Sequence, residues 1–149
     1  MLGRFTTGVT VLTCLGPAGE LVGMTANSLA SVSLAPPLLL LSIDRAADAH
    51  GALVQAPRFI VNILAAPQEG LSRRFAESGA DRFNGVGYHL AAGGEPILNG
   101  ALAHIECDHD ATHPGGDHTI LIGRVTGGAT ADGAPLLYYR GGYTGLGPG

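Results

Sequence analysis

The chain has no lysine and no tryptophan, and only 13% of its 149 residues are charged and 5% aromatic. Its cations are arginines scattered singly or in pairs, and the net charge is −4. Nucleic-acid binding requires grouped cations to neutralise phosphates, so nucleic acid is excluded as a partner, although isolated arginines still suit a nucleotide cofactor. The longest purely apolar run, Leu38 to Leu41, falls far short of the ~20 residues a membrane helix needs, and no membrane role is expected. Two cysteines, Cys14 and Cys107, are too few for a disulfide framework and no apolar leader opens the chain. Reduced thiols and a cytoplasmic location are expected. Neither cysteine has a histidine or Gly-rich turn placed to make a thiolate, so both read as core fillers. The length suits one domain over residues 1–149, with no linker long enough to divide it. So few charges leave apolar surface uncovered, which predicts a homodimer.

Against these absences stands one distinctive stretch, Gly23-Met24-Thr25-Ala26-Asn27-Ser28-Leu29-Ala30-Ser31-Val32-Ser33-Leu34-Ala35-Pro36-Pro37, followed at once by Leu38 to Leu41. Small polar residues (Thr25, Asn27, Ser28, Ser31, Ser33) are interleaved with apolar ones, so one face of an extended segment presents hydroxyls, an amide and accessible backbone. Such a face suits a flat, polar heterocycle. The plain alternative is a solvated strand in which Asn27 and Ser28 merely close a turn.

Along the chain, Val9 to Cys14, the Gly16-Pro17-Ala18-Gly19 turn and Leu21 to Ala26 read as a hairpin. Leu38 to Ile43, ended by Asp44, reads as a strand buried on both faces. Ala46 to Gln55 reads as a short helix stopped by Pro57, and Arg58 to Leu64 as a strand. Pro67 opens a helix through Ala76, with Leu71 and Phe75 inward and Arg73, Arg74 and Glu77 outward. Asp81-Arg82-Phe83 begins an irregular segment. Ala101 to Asp108 alternates with period two, as a half-solvated strand does. His113 to Asp117 reads as a loop, Thr119 to Thr126 as a strand, and Leu136 to Arg140 as a last strand before a Gly-rich tail. Many short strands, few short helices and 24 glycines favour a mainly β, closed or nearly closed antiparallel barrel.

Further motifs accompany the polar stretch: Arg4-Phe5-x-x-Gly8-Val9, Phe59-x-Val61-Asn62, Leu71-Ser72-x-x-Phe75-Ala76, Asp81-Arg82-Phe83, Gly100-Ala101-x-Ala103-x-Ile105-x-Cys107, Gly116-Asp117-His118-Thr119-Ile120 and Pro135-Leu136-x-Tyr138-x-Arg140-x-x-Tyr143. Their joint order and spacing over nearly the whole chain resemble the flavin reductase-like family. The helix that usually precedes the counterpart of Arg4 has no match, which implies a truncated start. The resemblance implies an antiparallel FMN-binding split barrel with a few short helices, holding flavin where two subunits meet. It also implies an NAD(P)H-dependent flavin reductase that passes hydride from NADH or NADPH to FMN or FAD and supplies reduced flavin to a partner monooxygenase. No acidic ribose-binding signature in a Gly-rich turn is present to choose between NADH and NADPH or between FMN and FAD.

The site residues implied by the resemblance begin with Met24, Thr25, Ala26, Asn27 and Ser28, whose backbone and short side chains would meet the ring. Ser42, Ile43, Asp44, Arg45 and His50 follow at the end of the next strand, and Arg82, Phe83 and Tyr143 come from later segments. His118 is expected near nicotinamide and flavin as the catalytic positioning group; its plain alternative is a structural histidine pinned by Asp117. Related reductases place hydroxyls in the loop after the strand to hold the flavin phosphate, whereas Ala46, Ala47 and Ala49 cannot donate. Arg45 is therefore expected to carry the phosphate contact, with His50 and Arg82 assisting and Asp48 opposing unless it points away. The run Cys107-x-His109-x-x-x-His113-x-x-x-x-His118 offers zinc-type ligands but lacks a second close cysteine, and no metal is expected. The rival class is a non-catalytic or degenerate split-barrel flavin-binding protein, kept open by the alanine-rich loop.

Overall fold

In the computed structural model, residues 1–79 and 81–148 are described. A 3-10 turn (Leu2–Arg4) leads into β1 (Thr7–Gly8), β2 (Thr10–Leu15), β3 (Leu21–Ala26), β4 (Ala30–Leu34) and β5 (Pro37–Asp44). Helix α1 (His50–Gln55), β6 (Arg58–Ile63), a 3-10 turn (Ala66–Gln68) and helix α2 (Glu69–Ala76) follow. The second half is β7 (Tyr88–Leu90), β8 (Pro96–Leu98), β9 (Ala103–Gly115), β10 (His118–Thr130), β11 (Leu137–Tyr139) and β12 (Gly142–Thr144). Seven strands form one antiparallel sheet in the order β3-β2-β6-β9-β10-β5-β4, with a three-stranded β1-β11-β12 sheet and a β7-β8 pair beside it. β3 and β4 are successive in sequence yet lie at opposite edges of the large sheet. The three residues Asn27 to Leu29 that join them therefore carry the chain from one edge to the other, which is possible only because the twisted sheet curls into a barrel.

The core fills this curl. Leu12, Cys14, Leu41, Ile43, Leu53, Phe59, Val61 and Leu121 are fully buried in one cluster, and Val9, Val11, Leu64, Phe75, Leu98 and Leu136 form a second. β10 approaches Phe59 closely enough that a Cβ at Gly123 would sit 2.5 Å from its ring, so only glycine fits there. On β3, a Cβ at Gly23 would lie 2.9 Å from Phe75, which lets α2 press flat against the strand.

Several expectations are refined. β5 is not buried on both faces: Leu39, Leu41 and Ile43 are buried while Leu38, Leu40 and Ser42 are half-buried, as befits a barrel wall with one face inward. The segment His113 to Asp117 is not a loop, because β9 runs to Gly115 and only Gly116 and Asp117 turn the chain into β10. The expected helix from Ala46 is limited to His50–Gln55, since Asp44 Oδ1 accepts from the Ala46 N–H at 2.9 Å and holds a turn there. Pro67 opens a 3-10 turn rather than α2 itself. Arg74 does not face solvent freely: it donates to the carbonyls of Arg82 (2.6 Å) and Asn84. The tail contributes β12, which the sequence reading missed. Among the described residues no helix is long and apolar enough to cross a membrane.

Candidate functional site

A cleft of about 400 Å³ opens where the β3–β4 link, the end of β5, α2 and the tip of the β9–β10 hairpin converge. Its floor on one side is β3 and the link, Met24 to Ser28. The hydroxyl of Thr25 donates to the Ser72 carbonyl at 2.6 Å, tying β3 to α2. Ser28 Oγ accepts from the Ser42 N–H at 2.9 Å and donates to the Ser42 carbonyl at 3.1 Å, so both main-chain polar groups of this β5 residue are satisfied by one side chain. Asn27 is exposed, and its amide has no hydrogen-bond partner among the described residues. Of the five residues of the link and strand end, it is the one whose polar side chain stays free for a ligand.

The opposite wall is Ser42, Asp44, Ala46 to Ala49 and His118, with Phe75 to Ser78 and Arg82 closing the end. β10 pairs with β5 so that His118 lies across from Asp44, and the Arg45 N–H donates to the Asp117 carbonyl at 3.0 Å. These contacts place the hairpin tip beside the link, about ninety residues earlier in the chain. His118 Nδ1 meets Asp117 Oδ1 at 2.7 Å, the pin foreseen in the plain reading, yet the same ring lines the cleft. That contact holds the Asp117 carboxyl below the usual aspartate range, through its hydrogen bond with His118 first and the imidazole charge second. Arg82 is the one arginine lining the cleft; its Nη1 donates to the carbonyls of Glu77 (2.7 Å) and Phe75 (3.3 Å). Asp48 also lines it, with Oδ2 accepting from the Gly79 N–H at 3.1 Å.

Nine of the fourteen residues expected as cofactor contacts thus meet: Met24, Thr25, Ala26, Asn27, Ser28, Ser42, Asp44, Arg82 and His118. Five do not. The side chain of Ile43 is fully buried in the core, as the alternation along β5 dictates. Arg45 is exposed outside the lining, so the guanidinium brought to the cleft is that of Arg82. His50 Nε2 is engaged by Thr119 Oγ1 at 2.8 Å. Phe83 lines a neighbouring cavity, and Tyr143 lines a smaller one of about 210 Å³ that shares Thr25 to Asn27 with the cleft. Tyr143 is held there by Ser72 (2.6 Å between hydroxyls) and by the Arg73 guanidinium 4.8 Å from its ring centre. Glu77 and Ser78, also on the lining, went unforeseen; they reach the cleft only because α2 packs on β3, a long-range relation with no local signal.

The donor set fits a flavin ring: a free amide and a run of short residues on one wall, small alanines on the other, and a volume in the range of small-molecule sites. It fits a terminal phosphate less well, since Asp44, Asp48 and Glu77 share the lining with a single arginine. The two cysteines lie apart from this chemistry, each pushed up to about 12, chiefly by burial.

A curled antiparallel barrel with a polar cleft at its seam defines a β-barrel with a small-molecule site. The profile of the flavin reductase like domain matches residues 2–147, and the chain belongs to that family. It is 44% identical to the FMN reductase (NADH) SmoA of Agrobacterium fabrum over 142 residues, covering 95% of this chain and 80% of that protein. It is 40% identical to the reductase subunit HsaB of a flavin-dependent monooxygenase from Rhodococcus jostii, over 99% of this chain and 76% of the relative. The crystal structure of the Streptomyces globisporus NADH:FAD oxidoreductase SgcE6 with NAD and FAD fragments superposes with a TM-score of 0.93 at 40% identity, over 99% of this chain and 89% of that one. The mainly β split barrel with few short helices is thus the fold of flavin reductases.

Proposed function

We propose that this chain is an NAD(P)H-dependent flavin reductase whose reduced product serves a separate monooxygenase. The observation that supports it most directly is the convergence of the free Asn27 amide and the His118 ring on one cleft from distant parts of the sequence. The bound flavin supplies hydride-accepting chemistry, and the protein binds, orients and excludes competing reactions. Asn27 and the accessible backbone from Thr25 to Ser28 would hold the pyrimidine edge of the ring, where negative charge develops on reduction. Asp117 fixes the His118 ring: with Nδ1–H given to the carboxylate, Nε2 accepts a hydrogen bond in the neutral ring and donates one in the charged ring. Either state orients a carboxamide at the cleft mouth, a positioning role.

A second copy of the chain completes the reading. β4 is one of the two outer strands of the large sheet, and it leaves Val32 and Leu34 exposed, with Leu2 and Phe5 exposed ahead of β1. Bare apolar edges of this kind are usually covered. A homodimer is expected, and sedimentation should return twice 15.1 kDa, falling to the single mass in Leu34→Asp. Function in the cytoplasm accords with two unpaired, buried thiols.

The deciding experiment follows oxidation of NADH and of NADPH with riboflavin, FMN and FAD each supplied in turn. Turnover dependent on added flavin is expected. Flavin binding without oxidation of either nucleotide would replace the enzyme by the binding-protein reading.

A further inference from the structure

A second cavity, of about 450 Å³, adjoins the cleft. The two succeed one another along β3, with Glu20 to Gly23 lining the second cavity and Met24 onward the first. Asp48, Ala49 and Arg82 line both. We infer that this second cavity takes the adenosine half of FAD, so that the chain uses FAD in preference to FMN. The inference rests on the flavin reductase reading and deepens it.

Charge carries the argument. A terminal phosphate monoester holds close to two negative charges near neutral pH. In the cleft it would find one arginine, Arg82, among Asp44, Asp48 and Glu77, and a loop of alanines with no hydroxyl to donate. A dinucleotide pyrophosphate spreads one charge on each phosphorus and needs no dianion site. Arg82 stands on the wall common to both cavities, and only its Nη1 is committed to protein carbonyls among the described residues. Its remaining N–H groups have no partner among the described residues and are available to a pyrophosphate crossing from one cavity to the other.

The second cavity suits what lies beyond. Glu20 and Asp81 line it; carboxylates accept hydrogen bonds from ribose hydroxyls and from an adenine amino group, the opposite of their effect on phosphate. Gln55 adds an amide able to donate and accept, and Phe83 an aromatic ring against which a purine can stack. The acidity that opposes a dianionic terminal phosphate therefore suits the ribose and adenine that lie beyond the pyrophosphate.

The test is fluorescence titration of the intact chain with riboflavin, FMN and FAD. FAD should bind at least about tenfold more tightly than FMN, the scale of one added base-stacking contact. FMN and riboflavin should agree within about threefold, because the phosphate adds little here. Gly51 in α1 lines the second cavity, and a Cβ there meets open space. Gly51→Leu should keep the fold, fill the cavity, abolish most of the FAD advantage and leave FMN and riboflavin unchanged; Gln55→Ala should reduce that advantage in part. FMN binding as tightly as FAD, or an advantage that survives Gly51→Leu, overturns the inference while leaving the flavin reading intact. A Gly51→Leu variant with normal FAD affinity and a raised KM for NADH would assign the cavity to the pyridine nucleotide's adenosine instead. Failure of all three flavins to bind would remove the flavin reading itself.

Discussion

Ser28 and Ser42 are joined as two strands would be: the Ser28 hydroxyl takes the Ser42 N–H and gives its own proton to the Ser42 carbonyl. One side chain thereby holds the link to β5 just beyond Ala30 and Leu40, where main-chain pairing between β4 and β5 ends. Ser28→Ala would leave both groups of Ser42 unpartnered in a half-buried position, at a cost of about 1 to 3 kcal/mol. Urea unfolding should show the loss in full, and Ser28→Thr should recover much of it. An unchanged midpoint in the alanine variant would mean that water replaces the hydroxyl without penalty.

Asn27, one residue earlier, makes the opposite prediction. Its amide serves no partner among the described residues, so Asn27→Leu should leave the unfolding midpoint within about 0.5 kcal/mol. Flavin affinity should fall by about 1 to 3 kcal/mol as hydrogen bonds to a partly buried ring are lost. Equal flavin affinity in the folded variant would remove the link from the site.

His118→Ala should lower turnover by about tenfold to a hundredfold while flavin affinity changes little, because positioning acts on the transfer step. Asp117→Asn should share part of the loss, and His118→Asn, which keeps a donor and an acceptor, should recover some. The pair also has a titration signature. His118 holds the Asp117 carboxyl below its ordinary range, so the contact's small stabilisation is present above about pH 3.9 and disappears as pH falls through the depressed value. Since Asp117 is exposed, the effect on overall stability is slight. Carboxyl NMR should show the Asp117 midpoint rising in His118→Ala.

Cys14 and Cys107 are raised to about 12 by burial, with Glu20 and Glu95 adding to the effect at Cys14 and Asp108 at Cys107. Native protein at pH 8 should therefore react negligibly with a thiol reagent, and both thiols should appear on unfolding. A folded value above the unfolded one gives stability that is complete below the ordinary thiol value of about 8.5 and declines as pH climbs toward the raised value. Alkaline unfolding midpoints of Cys→Ala variants should show a shallower fall.

Local pattern made some of this legible in sequence. The β2–β3 hairpin, β5, β6 and the inward face of α2 pack on the two core clusters, and their short apolar runs, or on β5 and α2 their apolar spacing, show it in the sequence. The full reach of β9 and β10 was not legible. Both run well past the core, their outer portions are exposed on both faces, and Pro114, Gly115, Gly127 and Gly128 mimic loop composition. Register shifts at Ile122/Gly123 and Val125/Gly127 further break the alternation. At the cleft, Thr25 to Ser28, Arg82 and His118 were named through motif resemblance, whereas Glu77 and Ser78 enter its lining only through the packing of α2 on β3. That packing leaves no trace in residue spacing.

Because the link from Asn27 to Leu29 spans the sheet's two edges, a molecule seated against it touches both sides of the seam at once. Such a molecule acts as a brace on the barrel's breathing. Amide hydrogen exchange should slow on the link and at Ser42 in proportion to occupancy, while amides of the central strands β6 and β9 stay near their already protected rates. At a hundredfold excess over Kd the brace is worth about 2.7 kcal/mol, comparable to the Ser28 closure itself. A weakened seam such as Ser28→Ala would then be restored by saturating flavin, making the ligand a part of the fold.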